Sequence, residues 1–480
     1  MRSAIQPWLR PAAALAPVLL WAAIAWDWPK FFFLQSDTFW LVETGRYILE
    51  HRQLPAHDIY SFTRYGDRWV VYQWLFEVLL ALLFDAGGWM LVSIGAALLV
   101  AWLFFVEMLR SLAAKSMNPL VAVVVIAAAV LAAVPDLLAV RPQLLSFAFV
   151  WLTRKILERN WPGPGQSLWL LVPLMIVWAN MHVSFVVLLA VLSVYAFCSL
   201  TPGLRGDGSG SRWWLPVVLL ACAAASLANP YGFGIYEFLA TSWADQNITP
   251  ELRPVEWWQR IPLSLYALVA AASILLSWRR QRLPSLLSAV MFLLAGLAGA
   301  RFIVYFVVWS APIACDALSR LVEPWMEHPG WMRTLSAATK ESVTARAYPF
   351  VVLVAVVAVI GIQPVYFPGI IPVKACEYLS RHGPRGPLFT GEHAGSYIIF
   401  RFRGRIPVFI DTRADVYGRS FCDLFRNAML RGRSWREIVS RFGVRAALVP
   451  LRYRLSDELA ASGDWAAVYK DQAYAIYELK

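Results

Sequence analysis

Charge is what this sequence has least of. Asp, Glu, Lys and Arg make up 15% of its 480 residues, against roughly 25% in a soluble globular chain. So sparse a complement cannot clothe a soluble surface of this size, which excludes an ordinary cytosolic enzyme. Cysteine is scarce as well: Cys198, Cys222, Cys315, Cys376 and Cys422 form no CxxC pair and no zinc spacing. The first three lie in apolar runs as packing residues, and a meeting of Cys376 with Cys422 stays open. No P-loop, GxSxG, HExxH or GxGxxG stands in a suitable context, so nucleotide hydrolysis and soluble-type catalysis lack their motifs.

What is present in quantity is apolar. Hydrophobic residues account for 59% of the chain, in runs such as Leu91–Val106 and Val121–Val134. These runs define a polytopic membrane protein. The 24 Trp, among them Trp26, Trp28, Trp213, Trp214, Trp257 and Trp258, suit the aromatic belts of membrane interfaces. A net charge of +12 follows from basic cytoplasmic loops. Nucleic acid is not a partner, since no module for reading it appears. The basic start Met1–Arg10 precedes an apolar run ending at Trp26-Asp27-Trp28-Pro29, with no small-residue cleavage site; this predicts an uncleaved signal anchor.

Spans are predicted near 11–29, 88–109, 118–135, 138–158, 167–180, 182–200, 213–229, 262–278, 284–299, 301–320 and 348–367, about eleven crossings. Basic clusters at Arg2/Arg10, Arg110/Lys115, Arg154/Lys155/Arg159, Arg205/Arg212, Arg279/Arg280/Arg282 and Arg320 onward then fall on one side. That side is the cytoplasm. The apolar segment 69–86, which holds Gln73 and Glu77, fits this scheme as a re-entrant or surface helix; as a true span it would invert everything after it. The stretch 167–200 reads as paired short spans, the first about 21 Å long, a feature that often marks a thinned, water-accessible site. The expected protein spans its membrane with the N-terminus inside. Residues 1–369 form the transmembrane domain, with outer loops at 30–68 and 230–260. Residues 370–480 form a small extracytoplasmic α/β domain, with strands near 386–390, 406–411 and 445–450 and a closing hairpin over 465–479 turning at Lys470-Asp471-Gln472.

This topology gathers the scattered polar residues at the outer face: Asp37, His57, Asp58, Arg141, Asn180, His182, Asn229, Glu256 and Arg301. Polar groups at membrane depth are costly and survive chiefly where they line a cavity or handle a substrate. Asp37 lies just beyond the first span, as a general base or metal ligand, or as the N-cap of a helix over 38–50. Arg141 and Arg301 suit a phosphate; Arg141 equally suits snorkelling to the interface. Asn180-Met181-His182 breaks an apolar run, either as a site or as a turn between short helices. Asn229-Pro230-Tyr231-Gly232 is a turn. Glu256-Trp257-Trp258 offers a sugar a carboxylate and an aromatic shelf, or an interfacial belt. Asp411-Thr412-Arg413-Ala414-Asp415 reads as a strand end, with metal-binding potential or as a loop capping the next helix.

The strings SDTFWLVETGRYILEHRQLPAHDIYSFT, RPQLLSF, WANMH, NPYG and RFIVYF, with HAGSYIIFRFRGRIPVFIDTRADVYG near the C-terminus, resemble a group of bacterial membrane proteins related to the GT-C superfamily. Those are polytopic glycosyltransferases that use polyprenyl-phosphate-linked sugars. The resemblance implies a catalytic Asp in the first outer loop, which is Asp37. Many members carry an acidic pair there; this chain has Asp37-Thr38, and His57 and Asp58 are the candidates for the second polar group. It also implies a basic residue on the lipid phosphate, for which Arg301 and Arg141 are candidates. Asn180, His182 and Glu256 complete the expected substrate-binding set, with a divalent metal left open as cofactor. The partners are then a polyprenyl-phosphate donor and a glycan, lipid or protein acceptor in envelope polysaccharide assembly. The competing reading is a non-catalytic component that binds or translocates the lipid carrier, needing Arg141 and Arg301 but no base.

Overall fold

The computed structural model describes residues 35–114, 117–163, 165–201, 203–204, 212–244, 260–326, 330–346, 348–361 and 369–480. The first span near 11–29 and Glu256 lie outside the described residues. Internal contacts divide the chain into two units, one comprising 93–233 and 251–363 with the N-terminal residues, the other 29–92, 234–250 and 364–480.

The first unit is helical. Its main elements, numbered along the chain, follow α1 (Asp37–His51) and α2 (Trp74–Ala101), which begin in the other unit. They are α3 (Pro119–Leu137), α4 (Gln143–Asn160), α5 (Leu171–Met181), α6 (Val186–Leu200), α7 (Trp214–Ala225), α8 (Ile261–Ser277), α9 (Leu283–Ala298) and α10 (Ile303–Met326). Among the described residues, Trp74–Ala113, Pro119–Leu137, Val183–Leu200 and Ala300–Trp325 are long and apolar enough to cross a membrane. Shorter apolar helices cover 166–181, 214–225, 261–277 and 283–298. The protein is a membrane protein. The segment 69–86, predicted as a re-entrant or surface helix, is instead continuous from Trp74 with the predicted span 88–109 as one broken helix, non-helical at Gly87 and Gly88, the latter at φ +61°. Glycine tolerates that left-handed backbone without a Cβ clash.

Local chemistry explains where these helices start and how they lock. Asn118 Oδ1 accepts the N–H groups of Leu120 and Val121 (3.0 and 3.4 Å), and Pro119 fills the first helical position of α3. Inside the unit, Tyr266 Oη donates to the Val307 carbonyl (3.0 Å) and Trp309 Nε1 to the Ser285 carbonyl (2.9 Å), joining α8 and α9 to α10. Arg154, 5% exposed, donates to the Trp309 carbonyl (2.6 Å) and lies over the Trp309 ring. Polar groups removed from water need such partners, and here each ties one helix to another.

The second unit combines helices with a small sheet. Its later elements are α11 (Val373–His382), β1 (Leu388–Phe389), α12 (Glu392–Arg401), α13 (Arg419–Arg431), α14 (Trp435–Phe442), β2 (Ala446–Pro450), α15 (Arg454–Ala461), β3 (Trp465–Lys470) and β4 (Tyr474–Leu479). The strand order is β1-β2-β4-β3, parallel between β1 and β2 and antiparallel elsewhere. Every residue of β2 is buried, as expected of a central strand covered on both faces. Beyond β1, Val408 bridges Leu388 on one side and Ser61 on the other. The loop after α1 therefore extends the C-terminal sheet: Phe62 N donates to Val408 O (3.1 Å), and Val408 N to Tyr60 O (3.0 Å).

Two glycines permit the close packing of α1 and α12 against their surroundings. A Cβ at Gly45 would lie 2.0 Å from the Glu77 carbonyl oxygen, and one at Gly395 1.9 Å from that of Ile410. Phe39 on α1 packs edge-on against Tyr397 of α12 (5.0 Å between centroids). The result holds the start of α1, with Asp37, beside the start of α12.

Candidate functional site

In the helical unit, the break between α5 and α6 brings several polar side chains into apolar surroundings. His182 is 3% exposed and Trp178 fully buried. Trp178 Nε1 donates to Ser146 Oγ (3.1 Å) and Ser184 Oγ (3.0 Å), and Ser184 Oγ donates to Ser146 Oγ (2.7 Å). His182 Nδ1 accepts the Ser184 backbone N–H (3.3 Å) and lies 2.6 Å from the Ser184 hydroxyl. Arg301 and Arg141 both act electrostatically on this ring, so two positive charges picked out separately in the sequence lie within electrostatic reach of His182.

Asn180 stands differently. Its Nδ2 donates to the carbonyls of Ile176 and Ala228 (2.8 Å each), tying the end of α5 to the turn after α7. Asn229 closes that turn, its Oδ1 accepting from Tyr231 N (2.8 Å).

In the second unit, Asp37 occupies the first turn of α1 and is half-buried. The helix begins at Asp37, with Ser36 as its N-cap residue, and no side chain closes the cap. The Ser36 hydroxyl is instead 2.5 Å from His393 Nδ1. Asp37 acts electrostatically on Glu392, His393 and Asp415, so the carboxylate faces residues brought from the far end of the chain. Burial pushes the Glu392 carboxyl above its ordinary value, with Arg426 pulling it back.

His57 is exposed and forms an antiparallel bridge with Arg68. Asp58 is 1% exposed and fully engaged. It accepts from the backbone N–H groups of Tyr60 (3.3 Å) and Ser61 (3.0 Å), from the Ser61 hydroxyl (2.5 Å) and from Arg413 Nη2 (2.7 Å). Arg413 also grips Asp411 through Nε (2.8 Å) and Nη2 (2.6 Å), and Tyr417 Oη donates to the same carboxylate (2.7 Å). The guanidinium lies over Trp69 and Tyr60, 4.4 and 5.1 Å from the ring centroids. Asp411 thus binds Arg413, its backbone N–H included (2.9 Å), in an ion triad that fastens the loop after α1 to the C-terminal sheet. Among the described residues, no three His, Cys, Asp or Glu side chains come close enough to hold a metal.

Glu43, on the same helix as Asp37, gives the unit a pH dependence. It is 5% exposed, pairs with Arg403 Nε (3.1 Å) and lies 3.7 Å from Arg46. Burial raises its carboxyl from 4.5 to about 7, against the opposing pull of Arg403 and Arg46. The folded state then holds a proton that the unfolded chain has released. Stability contributed by Glu43 is full below about 4.5 and is lost as pH rises through about 7. Thermal unfolding of wild type and Glu43→Gln is expected to diverge across that window, the wild type losing ground to the variant as pH rises. A constant difference between the two would remove this assignment.

Sequence reasoning missed Glu392, His393 and Arg413. The only signal was the charged string Asp411-Thr412-Arg413 beside the apolar Val408-Phe409-Ile410, and nothing in it names Asp58 as the partner.

No family model matches the chain, and no curated protein matches it. Among solved structures, the apo oligosaccharyltransferase of Archaeoglobus fulgidus matches with a TM-score of 0.55 at 12% identity, covering 93% of this chain and 70% of that one. ArnT from Cupriavidus metallidurans, bound to undecaprenyl phosphate, matches with a TM-score of 0.48 at 14% identity over 99% and 98% of the two chains. Both are GT-C glycosyltransferases, and the first likeness shows that this chain has the GT-C membrane fold.

Proposed function

We propose that the chain is a membrane glycosyltransferase that moves a sugar from a polyprenyl-phosphate donor to an extracytoplasmic acceptor. The observation that carries this reading is that Arg141 and Arg301 both act electrostatically on the buried His182 in the helical unit of a GT-C fold. A phosphate leaving group develops negative charge as its bond to the sugar breaks. Fixed donors aimed at that charge lower the barrier without having to reorganise. Arg301 and Arg141 neutralise the phosphate, and the His182 ring supplies a hydrogen bond.

Asp37 is the base. It takes the proton of the acceptor hydroxyl as that oxygen bonds to the anomeric carbon, and the electron pair of the breaking C–O bond leaves with the polyprenyl phosphate. The transfer inverts the anomeric centre. No step is routed through a metal. Asp58 holds the loop in place and His57 is solvent-exposed, so neither receives a chemical role; Asn180 serves the fold. With the basic loops cytoplasmic, the N-terminus lies inside and residues 370–480 outside, where the acceptor is presented during envelope polysaccharide assembly.

Native mass spectrometry of gently extracted wild type beside Arg301→Ala tests the donor. A polyprenyl-phosphate sugar that accompanies the wild type and is lost from the variant is the expected result, and its mass identifies the sugar. Equal retention in both would remove Arg301 from the site.

A further inference from the structure

The second unit contains a cleft of ≈ 160 Å³ where α12 begins, lined by Glu392, His393, Arg426, Arg452, Tyr453 and Tyr474 among others. The reading above assigns it no role. Its lining is chemically mixed in an informative way. Arg426 and Arg452 bring two permanent positive charges to a lining with one carboxyl, Glu392; Asp423, outside it, stands 3.8 Å from Arg426, so Arg452 is the charge with which the cleft favours an anion. Arg452 donates to Tyr453 Oη (3.2 Å) and lies 4.9 Å from the Tyr453 ring centroid. That contact orients the guanidinium along the wall instead of leaving it to wander in solvent.

The volume is well below the roughly 300–1,000 Å³ of sites for drug-sized ligands, so the cleft takes one ring-sized group. Tyr453 gives such a ring an apolar face to lie against, and its hydroxyl adds a polar edge; Tyr474 closes the floor, 3% exposed, with its hydroxyl donated to the Ile370 carbonyl. The Glu392 carboxyl and the His393 ring supply further hydrogen-bonding partners for ring hydroxyls. A purely apolar ring would leave these groups unmatched, and a bare inorganic ion would leave the Tyr453 face uncovered.

The cleft is also tied to the proposed base. His393, in its wall, shares a hydrogen bond with Ser36, the residue before Asp37. Asp37 acts electrostatically on both Glu392 and His393.

We propose that this cleft binds an acidic saccharide, the unit of the acceptor that presents its hydroxyl to Asp37. The inference rests on the glycosyltransferase reading for the word acceptor, and on the cleft alone for the ligand. The acidic group is a carboxylate or a phosphate on the sugar; Arg452 takes either.

The test uses the full chain in lipid nanodiscs without any donor, with D-glucuronate, D-glucose and inorganic phosphate as probes in equilibrium titrations. Glucuronate is expected to bind at least about tenfold tighter than glucose, the scale of one hydrogen bond to a charged group. Arg452→Ala, at an exposed position, is expected to remove that preference without disturbing the fold. Tyr453→Phe should retain it, and continued protection of buried Cys376 and Cys422 from thiol reagents checks the fold in each variant. Displacement of glucuronate by phosphate would assign Arg452 to either anion; glucuronate binding undisturbed by phosphate would assign it to a carboxylate. Glucuronate binding no tighter than glucose, an unchanged preference in Arg452→Ala, or phosphate binding without glucuronate binding would each overturn the proposal. Because no donor is present, glucuronate binding with a failed Arg301 result would sink the donor reading and leave the cleft standing. The reverse pattern would do the opposite.

Discussion

Arg413→Met is expected to destabilise the second unit by about 3–5 kcal/mol, the range for removing one partner of a buried ion pair. The side chain is fully buried between Asp58 and Asp411, both also at 0% side-chain exposure. Methionine fills much of the same volume but leaves two carboxylates out of water with no cation. A domain with total stability of roughly 5–15 kcal/mol loses a large share of it. Protection of Cys422, 2% exposed in the core of this unit, reports the loss directly: thiol labelling should accelerate in the variant, while buried Cys198, Cys222 and Cys315 of the helical unit label as in wild type. The decisive companion is Asp58→Asn with Asp411→Asn in the Arg413→Met background. Neutralising the stranded carboxylates should recover most of the stability, because exchanging a whole buried ion cluster for neutral groups is often close to neutral. If the triple variant is as unstable as the single one, lost packing against Trp69 and Tyr60 is the cause and the ionic explanation fails.

That triad also marks where sequence reasoning stops. Apolar runs fixed the helices: α3, α8, α9 and α10 lie within a few residues of the predicted spans, because a helix satisfies its own backbone in a medium without water. The hairpin of β3 and β4 turns over 471–473, one residue beyond the predicted triplet 470–472. Pairings between distant residues carry no such local signature. Asp37 was legible as a carboxylate after an apolar run, and Arg141, His182 and Arg301 as polar interruptions of apolar helices. His393 and Glu392 sit in a string that reads as a plain helix start, and nothing near them in sequence announces Ser36 or Asp37. Asp58 looked like a catalytic partner for the same reason: its consumption by Arg413, Tyr60 and Ser61 is visible only once the loop after α1 is seen beside Val408.

Asp37→Asn is expected to lower kcat by roughly 10²–10⁴-fold, the usual contribution of a positioned general base. KM should change little, since the proton moves only in the transition state. The substitution is a mild one for the fold. Asp37 stands in the first turn of α1, where a negative charge contributes only about 0.3–1 kcal/mol through the helix dipole, and asparagine keeps the shape and the acceptor oxygen. Donor retention should therefore match wild type in the same mass-spectrometric measurement that Arg301→Ala fails. On the proposed function the two variants separate two roles: Arg301→Ala should lower donor occupancy, whereas Asp37→Asn should lower turnover. A non-catalytic lipid-carrier protein makes a different forecast. It depends on Arg301 and Arg141 for its cargo and transfers no sugar in any variant, so donor retention without transfer in the wild type would remove the transferase, whereas undiminished transfer in Asp37→Asn would remove only Asp37 as its base.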